Sequence, residues 1–382
     1  MPEAAKSGVK VLSIFGTRPE AIKLAPVVRE LRCHAAALQA RVCVTAQHRH
    51  LLDQVLTLFD IVPDYDLDLM VDAQSPTQVA GRVLRELEPI LERERPDWVL
   101  VQGDTTTVAA ASLAAYYARA RVGHVEAGLR THDKWQPFPE EINRRVASVT
   151  ADLHFAPTPL ARDNLLREGV RPETILVTGN TVIDALRWTA AQPLTPETQR
   201  RLAALGLADD AAQQRTILVT AHRRENFGAP LEQICLAVRD LAERYAGRVR
   251  LVYPVHPNPQ VLAPVQRLLG GVPGVTLTEP LDYQTLVQVL KRAALVLTDS
   301  GGLQEEAPGL GIPVLVLRAV TERPEGVAAG TVRLVGADRA RIVAEAAQLL
   351  DDPAHHARMA AASQAYGDGQ AARRIVQALL AT

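Results

Sequence analysis

VKVLSIFGTRPEAIKLAPVVRELR, residues 9–32, reads as a β-branched run (Val9–Gly16), a short charged loop, and a helix from about Pro19 to Arg32. Pro19 suits the first helical position, where its missing N–H costs nothing. The same order returns at TILVTAHRREN, residues 216–226. Between the two, strand-like runs fall at Arg41–Ala46, Trp98–Gly103, Val122–Val125, Leu153–Ala156 and Ile175–Thr178. After the restart they fall at Arg250–Val255, Val275–Thr278, Leu295–Thr298, Pro313–Leu317 and Val332–Val335. Helical patterns separate most of them, which predicts an α/β fold with parallel sheets. The restart predicts two doubly wound domains, 1–180 and 181–365, with a helix and the Pro-flanked turn Gln192–Pro196 near the junction.

The 382 residues are enough for two or three domains with cores of their own. Lys+Arg at 42 against Asp+Glu at 43 leaves a net charge of −1, which excludes a nucleic-acid or anionic-membrane binder relying on basic excess. The basic residues are lopsided, 5 Lys against 37 Arg. Cys33, Cys43 and Cys235 have no metal-ligand spacing, and three scattered thiols fit a reducing compartment. The first ten residues are too polar for a signal peptide, and no apolar run approaches a membrane span. A cytoplasmic location is expected.

In open α/β sheets, ligands bind beyond the carboxyl ends of the strands. Polar residues cluster there in this sequence. Gly16-Thr17-Arg18 follows the first strand, with Lys23 one helical turn beyond. Asp104 follows WVLVQG, Glu126 follows VGHV, and Glu140 opens a later helix. Any one of these acids is most simply a cap or a helix-dipole partner. Three at one sheet edge suit acid–base chemistry, because crowded carboxylates shift one another's pKa. In the second half, His222 and Arg223 follow TILVTA, and Asp299-Ser300-Gly301-Gly302 follows LVLT. Glycines at a helix start let main-chain N–H groups approach phosphate, and Glu306 behind them can reach ribose hydroxyls. Arg323 lies near the last strands. If the two strand edges face each other, these residues line one interdomain cleft.

Other signatures fail. Neither G-x-G-x-x-G nor a P-loop occurs. His124-Val125-Glu126 matches the H-x-E of zinc deaminases, but no Pro-Cys-x-x-Cys follows. The pairs His48/His50 and His355/His356 lack metal-ligand partners, and Ser300 is not in a G-x-S-x-G elbow. No metal and no cofactor is expected.

GTRPEAIKLAP (16–26), GDTTT (103–107), HVEAGLRT (124–131), PEEINR (139–144), TGNTVIDAL (178–186), TAHRREN (220–226), PVHPNP (254–259), TDSGGLQEEAPGLGIPVLVLR (298–318) and TERPEG (321–326) occur in this order. Together they resemble the non-hydrolysing UDP-N-acetylglucosamine 2-epimerases, over about residues 9–375. The resemblance implies a glycosyltransferase-B-like fold: two Rossmann-like domains with the active site in the interdomain cleft, and a C-terminal helix (about 366–382) crossing back to the first. It also implies a homodimer acting on UDP-N-acetylglucosamine and UDP-N-acetylmannosamine, with UDP as the departing group. By matched position, Arg18, Lys23, Asp104, Glu126, His222, Leu286, Ser300, Gly301, Gly302, Glu306 and Arg323 contact substrate. Asp104, Glu126, Glu140 and His222 form the catalytic group. Leu286 stands where many members carry Phe beside the uracil. Gln47, His48, Arg223 and His256 match positions that bind an activating second UDP-N-acetylglucosamine.

Chemistry narrows the reaction. The C2 hydrogen of a UDP-hexosamine is not adjacent to a carbonyl, so direct deprotonation is very unfavourable. Either the sugar is first oxidised, which needs a nicotinamide, or UDP leaves C1 as the C2 proton is removed. Without a dinucleotide fingerprint the second route is preferred: anti elimination to a 2-acetamidoglucal, then re-addition of UDP. Arg18, Arg323, His222 and the Ser-Gly-Gly amides serve the diphosphate, and the acids serve the sugar. The competing readings are a hydrolysing 2-epimerase releasing N-acetylmannosamine and UDP, a glycosyltransferase on the same architecture, and a nucleotide-sugar sensor.

Overall fold

The computed structural model describes residues 8–45, 49–69, 71, 74–208, 214–361 and 364–382. The chain divides into two compact units, Met1–Ala185 with Gly367–Thr382, and Leu186–Tyr366. The change of unit falls inside a helix, five residues past the predicted 180.

The first unit runs β1 (Val9–Phe15), α1 (Arg18–Cys33), β2 (Leu38–Val44), α2 (Arg49–Leu58), β3 (Tyr65–Asp66), α3 (Pro76–Glu94) and β4 (Trp98–Gln102). It continues with α4 (Thr106–Tyr117), β5 (Arg121–Val125), α5 (Glu140–Thr150), β6 (Leu153–Ala156), α6 (Pro159–Arg167), β7 (Ile175–Val177) and the start of α7 (Thr181–Ala191). The second unit follows with α8 (Pro196–Ala204), β8 (Arg215–Thr220), α9 (Ala229–Arg244), β9 (Val249–Pro254), α10 (Pro259–Leu269), β10 (Val275–Thr278) and α11 (Tyr283–Arg292). Then come β11 (Ala293–Thr298), α12 (Leu303–Gly309), β12 (Val314–Val316), α13 (Pro324–Ala328), β13 (Val332–Leu334), α14 (Arg339–Asp351) and α15 (Pro353–Met359). The last helix, α16 (Ala371–Leu380), returns to the first unit.

Both sheets are parallel, in the orders β3-β2-β1-β4-β5-β6-β7 and β10-β9-β8-β11-β12-β13. Each is doubly wound: the order reverses between β1 and β4, and again between β8 and β11. These are two Rossmann-like folds in tandem, the glycosyltransferase-B-like class. Each sheet opens a crevice at its switch point. The loops predicted to hold ligand, 16–18 with 103–105 and 222–223 with 299–302, are the ones leaving those four strands.

Alternation along the strands explains the layers. Ile217 and Val219 face α9 and α14 in one core, while Leu218 between them packs with Val289 and Val296 in the other. Successive side chains of a strand point to opposite faces, so a sheet covered on both sides must be apolar on both. In the first unit Leu12, Ile14, Val99 and Val101 pack with Val83, Leu87 and Val108.

The returning helix is tied down by a buried acid. Asp184 accepts the main-chain N–H groups of Ala371 and Ala372 at 3.2 and 2.9 Å, while Ile375, Val376 and Leu379 are buried. No described helix is long and apolar enough to cross a membrane.

Candidate active site

The first unit gathers its polar residues around Glu126. This residue follows β5 with a φ of 65°, a left-handed conformation that costs a non-glycine residue energy and persists only where its surroundings impose it. The surroundings here are donors. Lys23 Nζ donates to both carboxylate oxygens at 2.5 and 2.7 Å, Asn180 Nδ2 donates to Oε1 at 2.9 Å, and Gln102 Nε2 donates to Oε2. Both oxygens are thus ligated by charged or neutral donors.

The other two acids sit differently. Asp104, on the β4–α4 loop, is partly exposed and pairs with Arg144 Nη2 at 2.6 Å. Asn143 Nδ2 donates to the Asp104 main-chain oxygen at 2.9 Å, so α5 holds that loop by two side chains. Glu140 is the first residue of α5, and its Oε2 is buried with no hydrogen-bond partner among the described residues. Its neighbour Glu141 is wholly buried and accepts the main-chain N–H groups of Thr131 and His132. Gly128, at φ 93°, lets this segment pass α6: a Cβ there would lie 2.2 Å from the Ala161 carbonyl oxygen.

Two buried side chains hold the switch-point loops. Glu20 caps α1, accepting the N–H groups of Gly16 and Thr17 at 3.1 and 2.7 Å, and takes the Thr105 hydroxyl at 2.7 Å. It therefore ties the loop after β1, which carries Arg18, to the loop after β4. Burial pushes the Glu20 carboxyl up, opposed by these three groups and the Thr17 side chain. His124 donates from Nε2 to the Gly103 carbonyl oxygen at 2.8 Å, and burial drives its pKa down to about 3, so it acts as a neutral strut.

The second unit builds its part around the ends of β8 and β11. Asp299 lies wholly buried beneath His222, whose ring stacks on His256 at 5.5 Å between centroids and 14° between planes. Burial lowers the His222 pKa, and the Asp299 charge opposes that shift. The Ser300 amide donates to Thr298 Oγ1 at 2.9 Å. Glu306 is buried and accepts the Tyr283 hydroxyl at 2.8 Å. Leu286 is half-buried against the core that includes Leu303 and Ala307.

Arg323, expected at the diphosphate, is engaged by acids. Its Nε meets Glu305 at 2.5 Å and its Nη1 meets Glu322 at 2.6 Å. The guanidinium packs directly under the glycine loop, since a Cβ on Gly301 would lie 2.6 Å from Nη1. Burial raises the Glu322 carboxyl, but Arg323 and Arg318 outweigh it and hold the pKa at about 2.

The structure thus brings Lys23, Glu126, Gln102 and Asn180 into contact, and joins Asp104 to Arg144. Arg18 stands half-buried at the first turn of α1. Of the positions matched to an activating site, Arg223 follows His222 in the chain and His256 stacks on its ring. Gln47 and His48 lie outside the described residues. Gln102, Asn180, Arg144, Glu20, Tyr283 and Glu305 escaped the functional reading. Asn180 and Arg144 fall inside quoted motifs, whereas Gln102 is marked only as a polar residue ending an apolar strand.

Residues 30–380 match the family model described as UDP-N-acetylglucosamine 2-epimerase. The UDP-N-acetylglucosamine 2-epimerase of Salmonella typhimurium is 55% identical over 371 residues, 97% of this chain and 98% of that protein. The solved structure of the Neisseria meningitidis UDP-GlcNAc 2-epimerase, bound to UDP-GlcNAc, superposes with a TM-score of 0.92 at 47% identity, covering 98% of this chain and 100% of that one. The Methanocaldococcus jannaschii UDP-GlcNAc 2-epimerase, in complex with UDP-GlcNAc and UDP, gives 0.83 at 32% identity, with 98% and 100% covered.

Proposed function

The chain belongs to the UDP-N-acetylglucosamine 2-epimerase family, and we propose that it interconverts UDP-N-acetylglucosamine and UDP-N-acetylmannosamine without hydrolysis. The first unit handles the hexosamine and the second the nucleotide. The C2 proton passes to a carboxylate, the C1–O bond breaks with its electron pair leaving on UDP, and a C1=C2 double bond forms. UDP then adds back to C1 while a proton is delivered to the opposite face of C2.

Inversion at C2 requires proton removal from one face and delivery to the other. One fixed carboxyl cannot serve both faces, so two of the acids carry protons. What supports a division of roles is the unequal ligation of the three. Both Glu126 oxygens already accept hydrogen bonds from Lys23, Gln102 and Asn180, which suits a fixed negative charge beside the developing oxocarbenium ion. Glu140, whose Oε2 has no partner among the described residues, and the partly exposed Asp104 are the proton carriers.

The assignment is tested by C2 exchange in D₂O. Asp104→Asn and Glu140→Gln should each exchange the C2 hydrogen of one epimer only, because one face keeps its acid. Glu126→Gln should lose exchange on both. Exchange of both epimers by Glu140→Gln at the wild-type rate would remove Glu140 from the proton pathway.

Homodimerisation is proposed through the α4–α5 face of the first unit. These helices pack side by side, yet Tyr116, Tyr117 and Val149 are 62%, 71% and 87% exposed. Tyr117→Glu with Val149→Glu should yield monomers by light scattering. Cys33, Cys43 and Cys235 form no disulfide, which is in keeping with a cytoplasmic site of action.

A further inference from the structure

Thr220 and Thr298 are register partners in β8 and β11, and their hydroxyls touch at 2.6 Å. The chain leaving β11 therefore delivers Asp299 beneath the turn leaving β8. Asp299 Oδ2 accepts the main-chain N–H groups of His222 and Arg223, both at 2.8 Å, and Asn226 Nδ2 at 3.0 Å. Three donors on one oxygen fix the carboxylate in place. The other oxygen, Oδ1, is buried with no hydrogen-bond partner among the described residues and lies 3.6 Å from His222 Nδ1. That distance is too long for a hydrogen bond and short enough for the two groups to be direct neighbours. Such contacts are often long before ligand binds.

The neighbouring imidazole is committed elsewhere. His256 Nδ1 accepts the Asn258 N–H at 3.1 Å, so its neutral ring carries the proton on Nε2. The ring nitrogen recorded beside Oδ1 is Nδ1 of His222.

We propose that Asp299 is the positioning residue for His222, taking the Nδ1–H hydrogen bond so that the Nε2 edge is presented to the departing diphosphate. The inference rests on the epimerase reading above. With Nδ1 holding its proton, Nε2 is the ring atom that accepts a second proton and donates it in a hydrogen bond to a phosphate oxygen. The charge on the ring is then balanced by the carboxylate behind it. The charged and titratable groups facing His222 are Asp299, Arg223 and His256. Burial, Arg223 and His256 all disfavour the imidazolium, and Asp299 alone favours it.

The test uses the full-length protein and Asp299→Asn. The asparagine oxygen can still accept the two main-chain N–H groups, while its NH₂ faces Nδ1 and drives the ring proton to Nε2. With UDP-N-acetylglucosamine as substrate, kcat should fall by about 100-fold while KM stays within about threefold. The alkaline limb of the pH profile should move to lower pH, because the remaining neighbours disfavour the charged ring. In ¹⁵N spectra of the UDP-bound protein, assigned with His222→Gln, the neutral His222 ring should be the Nδ1–H tautomer in the wild type and Nε2–H in Asp299→Asn. Activity lost only in proportion to the unfolded fraction, with pH profile and tautomer unmoved, would overturn the proposal. So would an Nε2–H tautomer in the wild type, a measurement that needs no variant. A wild type that binds UDP but fails to epimerise would refute the functional reading, while the tautomer still decides the role of Asp299.

Discussion

Replacing Lys23 by Met would keep the length and the apolar stem of the side chain but strand the Glu126 carboxylate. The two side chains are 11% and 4% exposed, and Nζ lies 2.5 Å from Oε1. Removing one partner of such a buried pair costs about 3–5 kcal/mol, against roughly 0–1 for an exposed pair. Gln102 and Asn180 still donate to the carboxylate, which places the cost toward the lower end of that range. The first unit has about 200 residues. Each kcal/mol then moves its midpoint by about 2–4 °C, so Lys23→Met, at about 3–4 kcal/mol, should lower the melting transition by roughly 6–16 °C. Glu126→Gln leaves a buried ammonium and should cost about as much. The double variant removes both charges, and a buried pair replaced as a whole is often neutral in stability. It should therefore recover most of the loss, with a coupling energy of about 2 kcal/mol or more. Calorimetry of the four proteins, following the transition of the first unit, completes the cycle. Epimerase activity should stay lost in the double variant although its stability returns. Additive destabilisation, with the double variant worse than either single one, would refute the pairing.

The other predictions concern the returning helix and the nucleotide side. Burial raises the Asp184 carboxyl to about 6, opposed by the Ala372 and Ala371 amides. A raised carboxyl contributes stability that is full below about pH 4 and lost as pH rises through about 6. Relative to Asp184→Asn, the wild type should therefore lose roughly 2–3 kcal/mol between these limits in urea titrations, and a constant difference would contradict this. Gly301→Ala puts a Cβ against a guanidinium held by Glu305 and Glu322. Overpacking of this kind costs about 1–3 kcal/mol, so the second unit should unfold at lower denaturant, and a wild-type midpoint would sink the idea. Tyr283→Phe deletes the buried donor to Glu306. It should destabilise the second unit by about 1–3 kcal/mol, and an unshifted denaturation midpoint would show that the hydrogen bond contributes nothing.

The strand–loop–helix order was legible because side-chain periodicity is local. Val9–Gly16 and Trp98–Gly103 announce strands in their own letters, and the restart at Thr216 announces a second sheet. The crevices were legible because polar residues interrupt apolar runs where a strand ends. Side-chain partnerships were not legible. Lys23 is one turn into the helix after β1, while Glu126 follows β5; they meet only because β4 lies between β1 and β5 in the sheet. Arg323 read as a diphosphate ligand, and the acids that hold it, one residue and eighteen residues away, gave no sign of the pairing. Asp299 read as the lead into a glycine turn, and its position under His222 follows from the pairing of β8 with β11.

In the proposed reaction the first unit moves the C2 proton while UDP leaves and returns. The most direct measurement is to incubate the protein with UDP-N-acetylglucosamine in D₂O, with no nicotinamide added, and follow the sugar by NMR. Intact UDP-N-acetylmannosamine carrying deuterium at C2 is expected. UDP-N-acetylmannosamine that retains its original C2 hydrogen, or free N-acetylmannosamine and UDP as the accumulating products, would contradict it.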